Sequence, residues 1–223
     1  MHDFTEAENF SEFAAWLIHI SGYSFMCHVD REYLLDRANS EDLANKVPDY
    51  EHCLKHLRKR PHLHCKNDFE FHSAPTIPDF AYPFIDLYGL IHARYILTPR
   101  GMAKMIKKWE LKDFGTCRLN ACKNQAYLPI GLSDELKVES VRFYCPSCDK
   151  VYESMGGSNG AMDGSFIGTT FPHLLLMTYP ERRPPPVDST YVPKIYDFKL
   201  HPRAYEVQYV ASEKKNSASG KRK

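Results

Sequence analysis

Apolar residues recur at helical spacing along the first half of the chain. One stretch places apolar side chains at i, i+3, i+4 and i+7, the pattern of an amphipathic helix: Tyr50, Cys53, Leu54 and Leu57. A second stretch, residues 83–96, is apolar on nearly all sides and predicts a buried central helix. Thr98 followed by Pro99 is typical of a helix N-cap and first position. We therefore predict a helical N-terminal region that extends to about residue 110.

The pattern changes after this region to short runs separated by turn-forming residues. Residues 126–130 and 141–144 are rich in aromatic and aliphatic side chains and predict strands. The apolar run from Phe171 to Met177 predicts a further buried strand. Residues 182–186, Arg-Arg-Pro-Pro-Pro, predict a stiff linker. The pattern as a whole predicts an α+β fold, with a helical N-terminal domain, a β domain and an extended C-terminal segment.

Two closely spaced cysteine pairs lie inside the predicted β domain. Cys117 and Cys122 are separated by four residues, Cys145 and Cys148 by two, and 22 residues lie between the pairs. This is the spacing of a structural Zn²⁺ site of the zinc-ribbon type. Four thiolates complete a tetrahedral shell and leave no position for water or substrate, so we expect the metal to hold the fold. Four unrelated buried cysteines are the alternative, but they would not explain the paired spacing.

Composition excludes some classes of protein. The chain has 223 residues and a net charge of +1, which gives no overall attraction to nucleic acid or to an anionic membrane. No apolar run reaches the roughly 18 residues of a membrane span, and the N-terminus lacks the features of a signal peptide. We expect no membrane association. Cysteines held for a metal suit a reducing compartment, the cytoplasm or the nucleus.

Five strings along the chain carry a more specific signal. They are residues 89–98 followed by Arg100-Gly101, residues 128–134, Tyr144-Cys145-Pro146-x-Cys148, Phe171-Pro172-His173, and the segment from Tyr196 to Tyr205. Together with the cysteine spacing, they resemble the regulatory beta subunit of casein kinase II. The resemblance extends over most of residues 10–205, with the strings in the family's order, and is that of a divergent paralogue.

The resemblance implies a non-catalytic regulatory or scaffold subunit. It implies a homodimer formed through the zinc ribbon, one structural Zn²⁺ per chain, and binding to the catalytic alpha subunit of casein kinase II, with pairing to other regulatory subunits as a further option. The implied domains are a helical domain (1–110), a zinc-ribbon dimerisation domain (111–182), a linker with a kinase-docking hairpin (183–210) and a disordered basic tail (211–223). No catalytic residue is expected.

The resemblance also implies partner-binding residues. Tyr196 and Phe198 match two aromatic residues that bind the catalytic subunit, and Leu174 matches a methionine that supports this contact. Aromatic residues separated by one position are expected on one face of a strand. Asp197 replaces a family glycine, which carries a cost if the backbone there needs a positive φ. Thr5, followed by acidic residues, keeps a phosphoacceptor pattern. The alternative is that Tyr196 and Phe198 pack on their own domain.

One segment departs from the family and leaves a second function open. Residues 52–66 carry lysines, arginines and histidines without a carboxylate, where the family has an acidic loop. This stretch could attract acidic ligands, or it could be a solvated helix end. The alternative function is therefore a zinc-ribbon protein for nucleic acid or other partners that has lost kinase binding, although the net charge argues against nucleic acid. Asp113-Phe114-Gly115 spells a kinase motif, but we expect a turn there because the other kinase motifs are absent from the sequence.

Overall fold

The computed structural model describes residues 17–18, 23–58, 79–153, 162–187, 194–201 and 203–204. The chain divides into two compact units, and the boundary lies between Pro186 and Val187. The first unit combines helices with a three-stranded sheet, and the second contains a two-stranded hairpin. The predicted α+β fold is confirmed. The finer domain boundaries at residues 110, 182 and 210 stay predictions.

Residues 17–18 are helical, and five α-helices of the first unit have described bounds. They are α1 (Arg31–Leu35), α2 (Tyr50–Leu57), α3 (Tyr82–Tyr95), α4 (Pro99–Glu110) and α5 (Phe171–Thr178). Short 3₁₀ helices cover Arg37–Asn39, Glu41–Asn45, Asp79–Ala81, Asn120–Cys122, Gly164–Phe166 and Pro180–Arg182. No helix in the described ranges has the length and apolar character that a bilayer crossing requires.

Helix α3 is the centre of the first unit. Ten of its fourteen residues are buried, as the continuous apolar run predicts. Gly89 in this helix allows close packing, because a β-carbon at this position would lie 2.2 Å from the ring of Phe166. The buried residues of α2 are the four of the predicted stripe, which confirms Cys53 as a core residue. Helix α4 begins as predicted, with the Thr98 hydroxyl accepting a hydrogen bond from the Gly101 N–H.

The three-stranded sheet is antiparallel and has the order β1–β2–β3. Its strands are β1 (Leu128–Ile130), β2 (Arg142–Cys145) and β3 (Lys150–Tyr152). In the register, Leu128 lies opposite Tyr144, and Phe143 lies opposite Tyr152. The strands predicted at residues 126–130 and 141–144 are confirmed to within two residues. Strand β3 lies at an edge of this sheet.

The prediction of a strand at residues 171–177 is wrong, because this segment forms helix α5. A short apolar run fits a buried strand and a buried helix equally well. The helix signal was Pro172, which suits the first turn after an N-cap residue, here Thr170. Helix α5 packs against β1 and buries Leu175 and Leu176, while Met177 is exposed.

The second unit contains a short β-hairpin. Strand β4 (Lys194–Ile195) pairs antiparallel with β5 (Phe198–Lys199), so that Ile195 lies opposite Phe198. The two residues between the strands, Tyr196 and Asp197, have φ angles of 47° and 66°. Two consecutive left-handed residues in a two-residue loop are characteristic of a type I′ turn.

Candidate functional site

The first cysteine pair lies on a tight turn before β1. Residues 116 and 126 form an isolated antiparallel bridge, and the Cys117 N–H donates to the Gln125 carbonyl at 2.8 Å. Cys122 ends the 3₁₀ helix between these residues. Lys123 and Asn124 then reverse the chain with positive φ angles of 50° and 58°. The bridge and the turn direct the sulfurs of both cysteines to the same side.

Helix α4 anchors this turn to the helical part of the unit. The buried indole N–H of Trp109 donates to the Ala126 carbonyl at 3.1 Å. Between the helix and the turn, the Asp113-Phe114-Gly115 segment reverses direction, with Phe114 buried and Gly115 at a φ of 79°. The prediction of a turn at this triplet is confirmed.

The second cysteine pair lies on the connection between β2 and β3. Cys145 is the last residue of β2, and its carbonyl accepts a hydrogen bond from the Asp149 N–H at 2.9 Å. Asp149 adopts a φ of 54° and leads into β3. The Tyr144 hydroxyl donates to the Asp149 carboxylate at 2.7 Å, which fixes the turn from one side.

The two turns bring the four cysteines together. Their Sγ atoms all lie within 4.8 Å of one another, and three of the four residues are buried: Cys117, Cys122 and Cys145. Zinc–sulfur bonds of 2.3 Å in a tetrahedron place the sulfurs about 3.8 Å apart, so the cluster fits a Zn²⁺-sized ion after a small contraction. Every described cysteine is a free thiol. Burial raises the pKa of the Cys145 thiol to about 11.

The sequence did not reveal that Tyr152 reaches this cluster. Its hydroxyl oxygen lies 3.3 Å from the Cys148 sulfur and 3.8 Å from the Cys117 sulfur. The available signal in the sequence was the position of Tyr152 four residues after Cys148. A strand that begins directly after the second cysteine pair starts close to the cluster. Tyr152 therefore contacts one cysteine of each pair.

The hairpin exposes the two aromatic residues predicted to bind a partner. Tyr196 is 93% and Phe198 is 79% exposed. The expectation that they share one face of a strand is wrong, since Tyr196 occupies the turn and only Phe198 lies in β5. Asp197 adopts a positive φ, the conformation in which a residue other than glycine was expected to carry a cost. Its carboxylate lies 3.9 Å from the Lys194 ammonium across the turn.

The remaining predicted residues belong to other elements or lie outside the described residues. Leu174 is half-buried on α5 in the first unit, whereas Tyr196 and Phe198 belong to the second unit. Thr5 lies outside the described residues. In the basic stretch, the Arg58 guanidinium donates to the Leu34 carbonyl at 2.8 Å and thereby stabilises the end of α1. This contact gives one of the basic residues a structural role.

Comparison with known proteins places the chain in a family. The family model described as casein kinase II regulatory subunit matches residues 12–199. The chain is 38% identical to casein kinase II subunit beta of Dictyostelium discoideum, over 91% of this chain and 73% of that protein. It is 36% identical to casein kinase II subunit beta of Schizosaccharomyces pombe, over 88% and 82%.

A third relative is casein kinase II subunit beta' of Drosophila melanogaster. It is 38% identical to the chain, over 87% of this chain and 86% of that protein. The matched residues include the four-cysteine cluster and the hairpin up to Lys199. This chain therefore belongs to the casein kinase II regulatory subunit family, whose members are non-catalytic subunits of the kinase.

Proposed function

We propose that this chain is a zinc-dependent, homodimeric scaffold that docks the catalytic alpha subunit of casein kinase II through its C-terminal hairpin. The observation that supports this most is the buried cluster of four cysteine sulfurs in a chain of this family. The four cysteines hold the two turns of the ribbon together, and the ribbon in turn provides the proposed dimer contact. A compartment that keeps thiols reduced, the cytoplasm or nucleus, suits this role.

In this proposal, Cys117, Cys122, Cys145 and Cys148 bind one Zn²⁺ per chain. The ion supplies structural stabilisation, since four thiolates leave no position for a reacting water. The three-stranded sheet is small and has little core of its own, so linking its two turns through a metal contributes directly to its folding free energy.

The dimer contact is proposed to lie on the ribbon. Several apolar residues on and around the ribbon are exposed: Leu111, Val151 and Met177. Val151 lies on the edge strand β3, and no strand among the described residues pairs with the outer side of β3. A symmetric contact between two such surfaces would bury the apolar side chains that a small sheet cannot cover alone.

Docking of the catalytic subunit is assigned to Tyr196 and Phe198, with Leu174 as a supporting residue. Large aromatic side chains that are exposed in the free protein are typical anchors of an interface. The paired strands hold them on a short, defined loop rather than on a free chain end, which reduces the entropy lost on binding.

Replacement of the metal ligands tests the link between metal and dimer. We expect Cys145→Ser with Cys148→Ser to lose Zn²⁺, to lose the structure of the ribbon and to sediment as monomers or aggregates. The metal content is measured by atomic emission and the mass by sedimentation equilibrium. The matched control is Cys53→Ala, a buried cysteine of the helical part, which should keep both the metal and the dimer.

Two results would reject this part of the proposal. Wild-type protein purified in the presence of Zn²⁺ could contain no metal, which would refute the metal site. Alternatively, the double serine variant could remain a folded dimer, which would refute the role of the ribbon in assembly.

A further inference from the structure

We propose that Tyr152 is a positioning residue of the metal centre, whose phenol hydroxyl donates a hydrogen bond to the metal-binding thiolates of both cysteine pairs. This inference rests on the proposed metal site and adds to it a residue beyond the four ligands. Its basis is the position of the hydroxyl between Cys148 and Cys117.

The backbone fixes where the Tyr152 side chain begins. Tyr152 is the last residue of β3, and its Cα lies opposite that of Phe143 in the neighbouring strand. Residues opposite each other in an antiparallel pair present their side chains on the same face of the sheet. The hydrogen-bonded register therefore holds Tyr152 on the face that Phe143 occupies.

Neighbouring rings then restrict where the phenol can move. The Tyr152 ring lies 5.5 Å from the ring of Tyr127, which stacks on Phe143 at 5.7 Å. Phe25, from the segment before α1, packs against Phe143 edge to face at 5.3 Å. This row of four rings connects the buried side of the sheet to the cysteine cluster. The hydroxyl at the end of the row is directed at the sulfurs without the entropy cost of a mobile side chain.

Chemistry determines the direction of the hydrogen bond. The hydroxyl oxygen lies 3.3 Å from the Cys148 sulfur and 3.8 Å from the Cys117 sulfur. A metal-bound cysteine is a thiolate without a proton, so the phenol must be the donor and the sulfur the acceptor. Four thiolates around one divalent cation leave a net charge of −2, and hydrogen bonds to charged acceptors are stronger than bonds between neutral groups. Because a hydroxyl has a single proton, the hydrogen bond to the nearer Cys148 sulfur is the stronger of the two contacts.

The contact also connects the two halves of the site. Cys117 belongs to the turn before β1, whereas Cys148 belongs to the turn between β2 and β3. A single hydroxyl between them resists the separation that release of the metal requires. Outer hydrogen bonds of this kind typically change metal affinity by 10-fold to 100-fold when they are removed. The strand that carries the hydroxyl is also the strand that exposes Val151, so metal retention and the position of this edge are coupled.

The test is Tyr152→Phe in the full-length, Zn²⁺-loaded protein. This change removes one oxygen atom and keeps the ring contacts and the strand pairing. We expect Zn²⁺ to transfer to excess EDTA about tenfold faster than from wild type, with an unchanged circular dichroism spectrum. In protein reconstituted with Co²⁺, we expect a shift of the thiolate-to-cobalt charge-transfer band, because the sulfurs lose a hydrogen-bond donor.

A control variant separates this effect from a general loss of stability. Tyr50→Phe also removes one phenol oxygen, here from a hydrogen bond with the Ser40 hydroxyl at 2.9 Å in the helical part. It should leave the Zn²⁺ transfer rate and the cobalt spectrum as in wild type. The cobalt spectrum is recorded on folded protein and does not depend on unfolding.

The outcomes distinguish this inference from the proposed metal site. Wild-type protein that binds neither Zn²⁺ nor Co²⁺ would refute both. Wild-type protein that retains Zn²⁺, together with a Tyr152→Phe variant that matches it in transfer rate and in cobalt spectrum, would overturn the role of Tyr152 alone. Faster transfer with a shifted spectrum in Tyr152→Phe but not in Tyr50→Phe supports the inference.

Discussion

At the residue scale, His92 connects three parts of the first unit through its buried imidazole. The Cys27 N–H donates to Nε2 at 3.0 Å, and Nδ1 donates to the Phe166 carbonyl at 2.7 Å. This pattern requires the neutral ring with its proton on Nδ1. Burial lowers the pKa of His92 from 6.5 to about 4. Protonation would place a charge in the core and remove the acceptor of the Cys27 N–H.

This pKa shift predicts a pH-dependent loss of stability. The pKa of His92 is lower in the folded state, so the unfolded chain binds the proton first as the pH falls. The stability that the neutral His92 imidazole contributes is fully present above pH 6.5 and is lost as the pH falls from 6.5 towards 4. The free energy of unfolding should therefore fall by about 2 kcal/mol between pH 7 and pH 5. Urea unfolding at pH 7 and pH 5 in excess Zn²⁺ measures this change in the free energy of unfolding.

The control for this prediction is His92→Gln, which cannot titrate. We expect this variant to be less stable than wild type at pH 7, with the difference reduced by about 2 kcal/mol at pH 5. Protonation of the cysteine thiolates affects both proteins equally and cancels in the comparison. An identical loss of stability in both proteins between pH 7 and pH 5 would contradict the assignment to His92.

At the scale of elements, the hairpin contains an unfavourable turn. A type I′ turn needs two left-handed residues and favours Asn followed by Gly, whereas this chain has Tyr196 followed by Asp197. Replacing Asp197 by glycine should remove about 1 kcal/mol of conformational cost. If binding has to hold the hairpin in this turn against other conformations of the free chain, Asp197→Gly should bind the catalytic subunit about fivefold more tightly. Surface plasmon resonance with the immobilised catalytic subunit measures the affinity.

Asp197→Asn is the matched variant for charge. Asparagine tolerates a left-handed backbone about as well as aspartate, but it lacks the carboxylate near Lys194. We expect its affinity to stay close to that of wild type. Equal or weaker binding by Asp197→Gly would contradict the prediction that the conformational cost of this turn limits binding.

The predictability of individual elements depended on how many signals agreed. Helix α4 was signalled both by Thr98-Pro99 at its start and by apolar residues at helical spacing. The cysteine pairs had a spacing that is typical of metal sites and of few other structures. Helix α5 had only a seven-residue apolar run, in which a helix and a strand look alike. The turn at Tyr196 was not foreseen because tyrosine rarely adopts a left-handed backbone, and the contact of Tyr152 with the cysteines depends on strand register.

At the scale of the whole molecule, the regulatory class follows from the family, whereas binding to a catalytic subunit stays a proposal. The four cysteines match the spacing expected for a ribbon, and the described structure brings their sulfurs together. By contrast, Asp197 in the turn and the basic stretch at 52–66 are the two features that the sequence resemblance predicted to depart from the family pattern. The central question is therefore whether this regulatory subunit still binds a catalytic subunit.

A pull-down with purified catalytic alpha subunit answers this question most directly. Wild-type chain is compared with Tyr196→Ala/Phe198→Ala, and Val138→Ala serves as a control for an exposed apolar residue outside the hairpin. We predict that wild type and Val138→Ala retain the catalytic subunit and that the double variant loses it, since the two rings provide the anchors. Equal retention by wild type and the double variant, or no retention by wild type, would contradict the assignment of this chain as a kinase-docking subunit.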